Sequence, residues 1–159
     1  MKISKSMMTG ISFGLTSATI TTLGLMVGLN STTHSHLVVL GGVITIAIAD
    51  ALSDSLGIHI SEESSKSDGT DVWEATFATF GSKLIFGLTF AIPILLMDLD
   101  IAVIASILWG MLALAALSYF IAKSNKENPL HVIAEHIGIA IFVIIVTNFL
   151  GSWIGSTFG

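Results

Sequence analysis

The chain has 159 residues, of which 53% are hydrophobic and 11% are charged, and its formal net charge at pH 7 is −5. A soluble core does not require so apolar a composition, and an acidic chain with six lysines and no arginine excludes a basic nucleic-acid-binding surface. The absence of cysteine excludes a disulfide framework and a thiolate metal site.

Five apolar segments are long enough to cross a bilayer, which takes about 20 residues. We predict spans over residues 7–29, 37–60, 80–97, 101–122 and 130–155. A short acidic linker, 61–79, separates spans two and three, and Asp71 with Glu74 fits a helix capping box ahead of span three. The sequence therefore predicts a single all-α domain over 1–159, an integral, multi-pass membrane protein.

The lysines predict the orientation. By these spans all six fall on one side of the membrane: Lys2, Lys5, Lys66, Lys83, Lys123 and Lys126. The positive-inside rule then places the N-terminus in the cytosol, and the membrane is the cell membrane if the chain is prokaryotic.

Span one carries a stripe of small residues at intervals of three and four. Its members are Gly10, Gly14, Ser17, Thr21, Gly24 and Gly28. Such a stripe permits close approach of a second helix in lipid. Two interpretations stay open, namely packing inside one subunit and a homodimer interface formed by Gly10, Gly14, Thr21, Gly24 and Gly28.

Span two contains two carboxylates, Asp50 and Asp54, which share one helix face with Ser53. A charge deep in a bilayer costs roughly 2.5 kcal/mol or more, so intramembrane acids indicate a functional site. We interpret this face as one wall of a cation site. Glu62 and Glu63 continue toward the cytosolic mouth, where their charge would attract cations.

Span five begins with His131 and Glu135, one helical turn apart. This spacing suits a metal ligand pair or a proton relay, and it equally suits an ordinary i,i+4 pair.

Two segments resemble a known family. Gly14-Leu15-Thr16-Ser17-Ala18 with its Thr-rich continuation, and the run from Ala49-Asp50-Ala51 to Ser61, are similar to the first two spans of the vacuolar iron transporter family. The resemblance implies a homodimer of five-helix subunits with an ion path at the interface, exchanging cytosolic Fe²⁺ or Mn²⁺ for protons. Ser17, Asp54 and Ile58 stand where the family has Asp, Met and Glu.

The retained Asp50 and the additional Asp54, supported by Ser53 and Ser17, favour cations that prefer oxygen ligands. We therefore expect a divalent metal transporter for Fe²⁺ or Mn²⁺ that needs no permanently bound cofactor. The alternatives are a transport-inactive dimeric membrane module of the same fold and a passive proton or cation channel. No Walker A lysine loop or H-E-x-x-H motif occurs in the sequence, and we do not expect an enzyme.

Overall fold

The computed structural model describes residues 4–65 and 67–159; Lys2 and Lys66, which contributed to the orientation argument, lie outside them. Over these residues the chain forms six α-helices. They are α1 (Lys5–Thr33), α2 (His36–Ser64), α3 (Gly69–Thr89), α4 (Ala91–Leu96), α5 (Leu99–Asn125) and α6 (Pro129–Phe158).

The prediction of an all-helical chain with five membrane-length helices is confirmed. Among the described residues five helical segments are long and apolar enough to span a membrane, and α3 with α4 forms the third of them, Gly69–Leu96. The interruption between α3 and α4 at Phe90 precedes Pro93, which lacks the N–H that would bond to the carbonyl four residues earlier.

Local capping sets the helix ends. Ser4 caps α1 by accepting a hydrogen bond from the Met7 amide at 3.1 Å, and Asn128 caps α6 ahead of Pro129. His34 ends α1 in the left-handed conformation, with φ of 47°, and Ser35 then caps α2. The two helices are therefore joined by a tight hairpin.

The predicted linker 61–79 is wrong in its bounds, because α2 continues to Ser64 and α3 already begins at Gly69. Asp68, and not Asp71, occupies the N-cap position, and Glu74 instead accepts a hydrogen bond from Ser4 Oγ. Early α3 carries Thr70, Asp71 and Glu74, whose polarity hid this part of the span. Its buried residues nevertheless begin at Val72, and the large apolar side chains of Trp73 and Phe77 are exposed on its outer surface.

Helix α1 is the centre of the bundle, since it packs against α2, α3, α5 and α6. A buried apolar core fills the half of the bundle near the α1–α2 hairpin, with Leu23, Met26, Val43, Phe90 and Ile94 among its members. Large apolar side chains also cover the outer surface, as expected where the solvent is lipid.

Other helices of the same subunit pack against the glycines of span one. A Cβ on Gly10 would lie 2.9 Å from Ala78 Cβ, and a Cβ on Gly14 would lie 2.9 Å from the Thr79 carbonyl oxygen, so α3 fills this part of the stripe. A Cβ on Gly24 would meet Val143 of α6 at 2.9 Å.

Gly28 also faces α6, where its added Cβ would lie 3.6 Å from the Thr147 carbonyl oxygen. Thr21 faces α2, where it bonds Asp50. At Gly10, Gly14 and Gly24 the predicted homodimer interface is therefore corrected to packing within one chain, whereas Thr21 and Gly28 are half-buried and also line a groove on the surface.

A different small-residue face is open. Gly41, Thr45, Ala49, Ser53 and Gly57, at intervals of four on α2, are all exposed. Within the part of the chain that the structure describes, a Cβ added at Gly41 or Gly57 would meet nothing within 4 Å. We call these five residues the α2 stripe and Gly10, Gly14, Gly24 and Gly28 the α1 stripe.

The lysine count at the predicted cytosolic side also changes. Lys5 lines the same cavity as Ser124 and Asn125, so the start of α1 and the end of α5 share one end of the bundle. Lys83, in contrast, is buried in the middle of the third span. The cytosolic N-terminus stays a prediction, which among the described lysines depends on Lys5, Lys123 and Lys126.

Candidate functional site

A buried lysine joins the two aspartates of span two. Lys83 of α3 is 1% exposed. Its Nζ lies 2.7 Å from Asp50 Oδ2, forms an ion pair with Asp54 Oδ2, and donates to Ser17 Oγ at 2.7 Å. An ammonium group has three N–H donors, and here three oxygen acceptors match them.

Helix α1 supplies a hydroxyl to each carboxylate. Ser17 Oγ donates to Asp54 Oδ2 at 2.7 Å. Thr21 Oγ1 donates to Asp50 Oδ2 at 2.8 Å and shares its hydrogen with the Ser17 carbonyl oxygen, which lies at 2.9 Å. The hydroxyls are four residues apart on α1, as the acids are on α2, so a one-turn step on one helix matches a one-turn step on the other. We call Ser17, Thr21, Asp50, Asp54 and Lys83 the acid–lysine cluster.

The cluster lies at the middle of its helices. Asp50 is 14 residues from each end of His36–Ser64, and Lys83 is 14 residues from the start of the span Gly69–Leu96. At 1.5 Å per residue these distances correspond to about 21 Å of helix. In a bilayer the charges would therefore lie far from bulk water on both sides.

The formal charge of the cluster is −1, from two carboxylates and one ammonium. Buried charges are costly unless they are paired and hydrogen bonded, and removing one member of a buried pair is more destabilising than replacing the pair. Lys83 thus accounts for how span two holds two acids at this depth.

The carboxylates are less enclosed than the lysine. The Asp50 and Asp54 side chains keep 19% and 22% of their area exposed, against 2% for the Lys83 side chain. The contacts made by Lys83, Ser17 and Thr21 go to Oδ2 of each acid. The acids therefore extend from the lysine toward the outer surface of the subunit, where the neighbouring Ser53 of the α2 stripe is exposed.

The structure brings together three of the six residues predicted to bind metal, namely Asp50, Asp54 and Ser17. Ser53 is exposed and forms no hydrogen bond to the cluster among the described side chains. Glu62 Oε2 accepts a hydrogen bond from Ser67 Oγ at 2.8 Å, and Glu63 Oε1 lies 3.7 Å from His59 Nε2. Eight residues, or about 12 Å of helix, separate Glu62 from Asp54.

The predicted relay pair in span five is not joined either. His131 and Glu135 are both exposed, and no ion pair links them in the described part of the chain. The neighbouring His136 has the contact instead, with Nδ1 at 2.7 Å from the buried Ser118 Oγ. The Ser118 hydroxyl also lies 2.7 Å from the Leu114 carbonyl oxygen of its own helix.

Lys83 and Thr21 are the members of the cluster whose role the sequence reasoning missed. Starting span three at residue 80 placed Lys83 at a helix end, where a lysine needs no partner. A signal was available, because Lys83 lies in a run that stays largely apolar from Val72 to Met97. A lone lysine inside a membrane-length helix calls for an acidic partner.

Helix α1 contains a sequence pattern that also occurs in hydrolases. Gly10-Ile11-Ser12-Phe13-Gly14 matches G-x-S-x-G, but all five residues lie within α1. The nucleophile elbow of the α/β-hydrolases requires a sharp turn from strand to helix, which this segment does not make.

The donor set of the cluster suits a hard cation. No group of three or more His, Cys, Asp or Glu side chains that could hold a metal ion occurs over residues 4–65 and 67–159. Two carboxylates and two hydroxyls do converge, and such oxygen ligands suit Mg²⁺, Ca²⁺ and Mn²⁺. A cation bound here would compete with the Lys83 ammonium group for these oxygens.

Comparison of the chain with protein-family models, curated proteins and solved structures finds no match.

Proposed function

We propose that this chain is a membrane cation transporter whose binding site is the Asp50–Asp54 pair. The observation that carries the proposal is a pair of carboxylates at mid-helix, each bonded to a hydroxyl of α1 and both partly open to the outer surface. Ionisable groups at this depth are expensive and are characteristic of ion pathways. Pairing with Lys83 neutralises one of the two acids and leaves the cluster with a formal charge of −1.

The proposed substrate is a divalent metal, Fe²⁺ or Mn²⁺, moved out of the cytosol in exchange for protons. The all-oxygen donor set and the resemblance of spans one and two to the vacuolar iron transporter family support this substrate. Carboxylates must be deprotonated to bind metal, so metal and protons compete for them. An opposing pH gradient would then release the metal on the more acidic side.

We further propose a homodimer in which the α2 stripe of one subunit faces that of another. Small residues at intervals of four allow two helix backbones to approach closely in lipid. Asp50 and Asp54 adjoin this stripe, so a second copy would shield their exposed oxygens from lipid. Because the chain lacks cysteine, Gly57→Cys can be compared by oxidative cross-linking with Phe142→Cys, at an exposed position of α6. Cross-linking at position 142 but not at 57 would contradict this interface.

Transport is tested with the full chain in proteoliposomes loaded with a metal-sensitive dye. Asp50→Asn and Asp54→Asn keep the size of the side chain and remove its charge, so each should abolish most of the Mn²⁺ flux. Asp98→Asn is the matched control, because Asp98 is exposed at the start of α5 and its side chain forms no capping hydrogen bond. Normal flux in both of the first two variants would show that the acids are structural.

The second candidate is a transport-inactive membrane module. It is favoured by the satisfaction of all three Lys83 donors within the subunit, an arrangement that also suits a charge cluster holding three helices together. In that case no divalent ion would cross the membrane, while Asp50→Asn would still lower the free energy of unfolding. A passive channel would differ from both in carrying flux that is indifferent to the pH gradient.

A further inference from the structure

We infer that Lys83 is a tethered cation that occupies the transport site and must leave it before a free cation can bind. This inference rests on the proposed function and assigns a selectivity-determining role to a residue outside the acid pair.

The ammonium group of Lys83 lies at the position that a bound cation would take. Lys83 Nζ contacts Asp50 Oδ2, Asp54 Oδ2 and Ser17 Oγ, the oxygens that a cation between α1 and α2 would use. Metal–oxygen distances of about 2.0–2.6 Å would place a bound ion almost where Nζ lies. The ion and the ammonium group cannot occupy this position together.

The ammonium group of Lys83 also reduces the negative charge of the site. With Lys83 in place the two carboxylates and the ammonium carry −1, and without it the pair carries −2. An ammonium group within hydrogen-bond distance repels an incoming cation, and this repulsion is stronger for a divalent ion than for a monovalent one. Lys83 therefore lowers the resting affinity for divalent cations.

The lysine side chain is flexible enough to leave the site. Lysine carries its charge on a flexible four-carbon stem, so the ammonium group can move while α3 stays in place. A guanidinium group is larger and planar, and it would not leave the same gap between the carboxylates. The site is thus suited to exchange between a tethered and a free cation.

The test is Mn²⁺ binding to the purified full chain in detergent, followed by the loss of the electron paramagnetic resonance signal of free Mn²⁺. Lys83→Met keeps the length of the side chain and removes its charge, and it should lower the Kd for Mn²⁺ at least about tenfold. Lys123→Met is the matched control, because Lys123 is exposed near the end of α5, with its Nζ 5.2 Å from the Tyr119 ring centroid. Its Kd should equal that of the wild type.

Chemical rescue separates occupancy from a purely structural role. In Lys83→Ala, added methylammonium can enter the space left by the side chain and should raise the apparent Kd for Mn²⁺ again. In the wild type the tethered ammonium already occupies the site, so methylammonium should have little effect. A lysine that only held the helices together would show no such competition.

A Kd that is unchanged or higher in Lys83→Met overturns the inference. If that variant does not fold, Lys83→Gln, whose amide can still donate hydrogen bonds, replaces it in the same comparison. Wild-type Mn²⁺ transport that is sensitive to Asp50→Asn, together with an unaltered Kd in the Lys83 variants, would overturn the inference and leave the proposed function standing. Absence of Mn²⁺ binding in every form would overturn both.

Discussion

The α1 stripe and the α2 stripe have nearly the same sequence pattern and opposite surroundings. In the α1 stripe an added Cβ at Gly10, Gly14 or Gly24 would come within 3 Å of an atom of α3 or α6. In the α2 stripe an added Cβ at Gly41 or Gly57 would meet no atom within 4 Å among the described residues. The α1 stripe packs against other helices of the subunit, and the α2 stripe lies on the surface of the subunit.

The difference shows that small residues at helical spacing predict a close helix contact without identifying the partner. Helices in lipid associate through backbone approach and van der Waals packing, and these are available equally within a subunit and between subunits. The neighbouring charges separate the two cases here. The acid–lysine cluster lies where α1, α2 and α3 meet, and in it the acids, on α2, stay partly exposed while Lys83 is buried.

The largest effect is expected at Gly10. In Gly10→Ala the new methyl group would lie 2.9 Å from Ala78 Cβ and 3.0 Å from the Thr79 amide nitrogen, so α3 would have to move. Overpacking of this kind typically costs about 1–3 kcal/mol, which exceeds the gain of up to about 1 kcal/mol from replacing a helical glycine by alanine. The free energy of unfolding, measured by SDS titration in mixed micelles, should therefore fall.

Gly41→Ala is the matched control, because it adds the same methyl group at an exposed position of the α2 stripe. If Gly10→Ala were as stable as the wild type, α1 and α3 would not be in the close contact described above.

A smaller effect is expected at Thr21, the residue of span one that faces α2. Thr21→Val keeps the shape of the side chain and removes the hydroxyl, which lies within donating distance of Asp50 Oδ2 at 2.8 Å and of the Ser17 carbonyl oxygen of its own helix at 2.9 Å. Loss of one such hydrogen bond should lower the free energy of unfolding by about 1 kcal/mol. Thr32→Val is the control, since the Thr32 hydroxyl donates to the Gly28 carbonyl of its own helix. Equal losses in the two variants would show that the bond to Asp50 contributes nothing particular to stability.

The sequence predicts much of the fold because hydropathy over about 20 residues is a strong local signal. It also identifies Asp50 and Asp54, since acids in an apolar span stand out without any tertiary information. Ser17 was included because it stands where the family that span one resembles has Asp. The role of Lys83 was missed because its interpretation depended on where span three begins, and the polar side chains at the start of α3 hid that boundary. The sequence did not predict which helices pack against the α1 stripe, because this contact depends on tertiary packing that no local pattern encodes.

The smallest effect, of opposite sign, is expected from Gly41→Ala on α2. The substitution adds no close contact within the subunit, because the position is open and exposed. Replacing a helical glycine by alanine stabilises a helix by up to about 1 kcal/mol, so the monomer should gain stability by this amount or less. If a second copy packs tightly on the α2 stripe, the added methyl group would weaken that contact. The dimer of this variant should then dissociate at a higher protein concentration than the wild-type dimer. Its monomer should unfold at a higher SDS concentration than the wild-type monomer. Measuring unfolding and dissociation separately therefore determines whether the α2 stripe contacts lipid or another subunit, and a loss of monomer stability would contradict the open surroundings of Gly41.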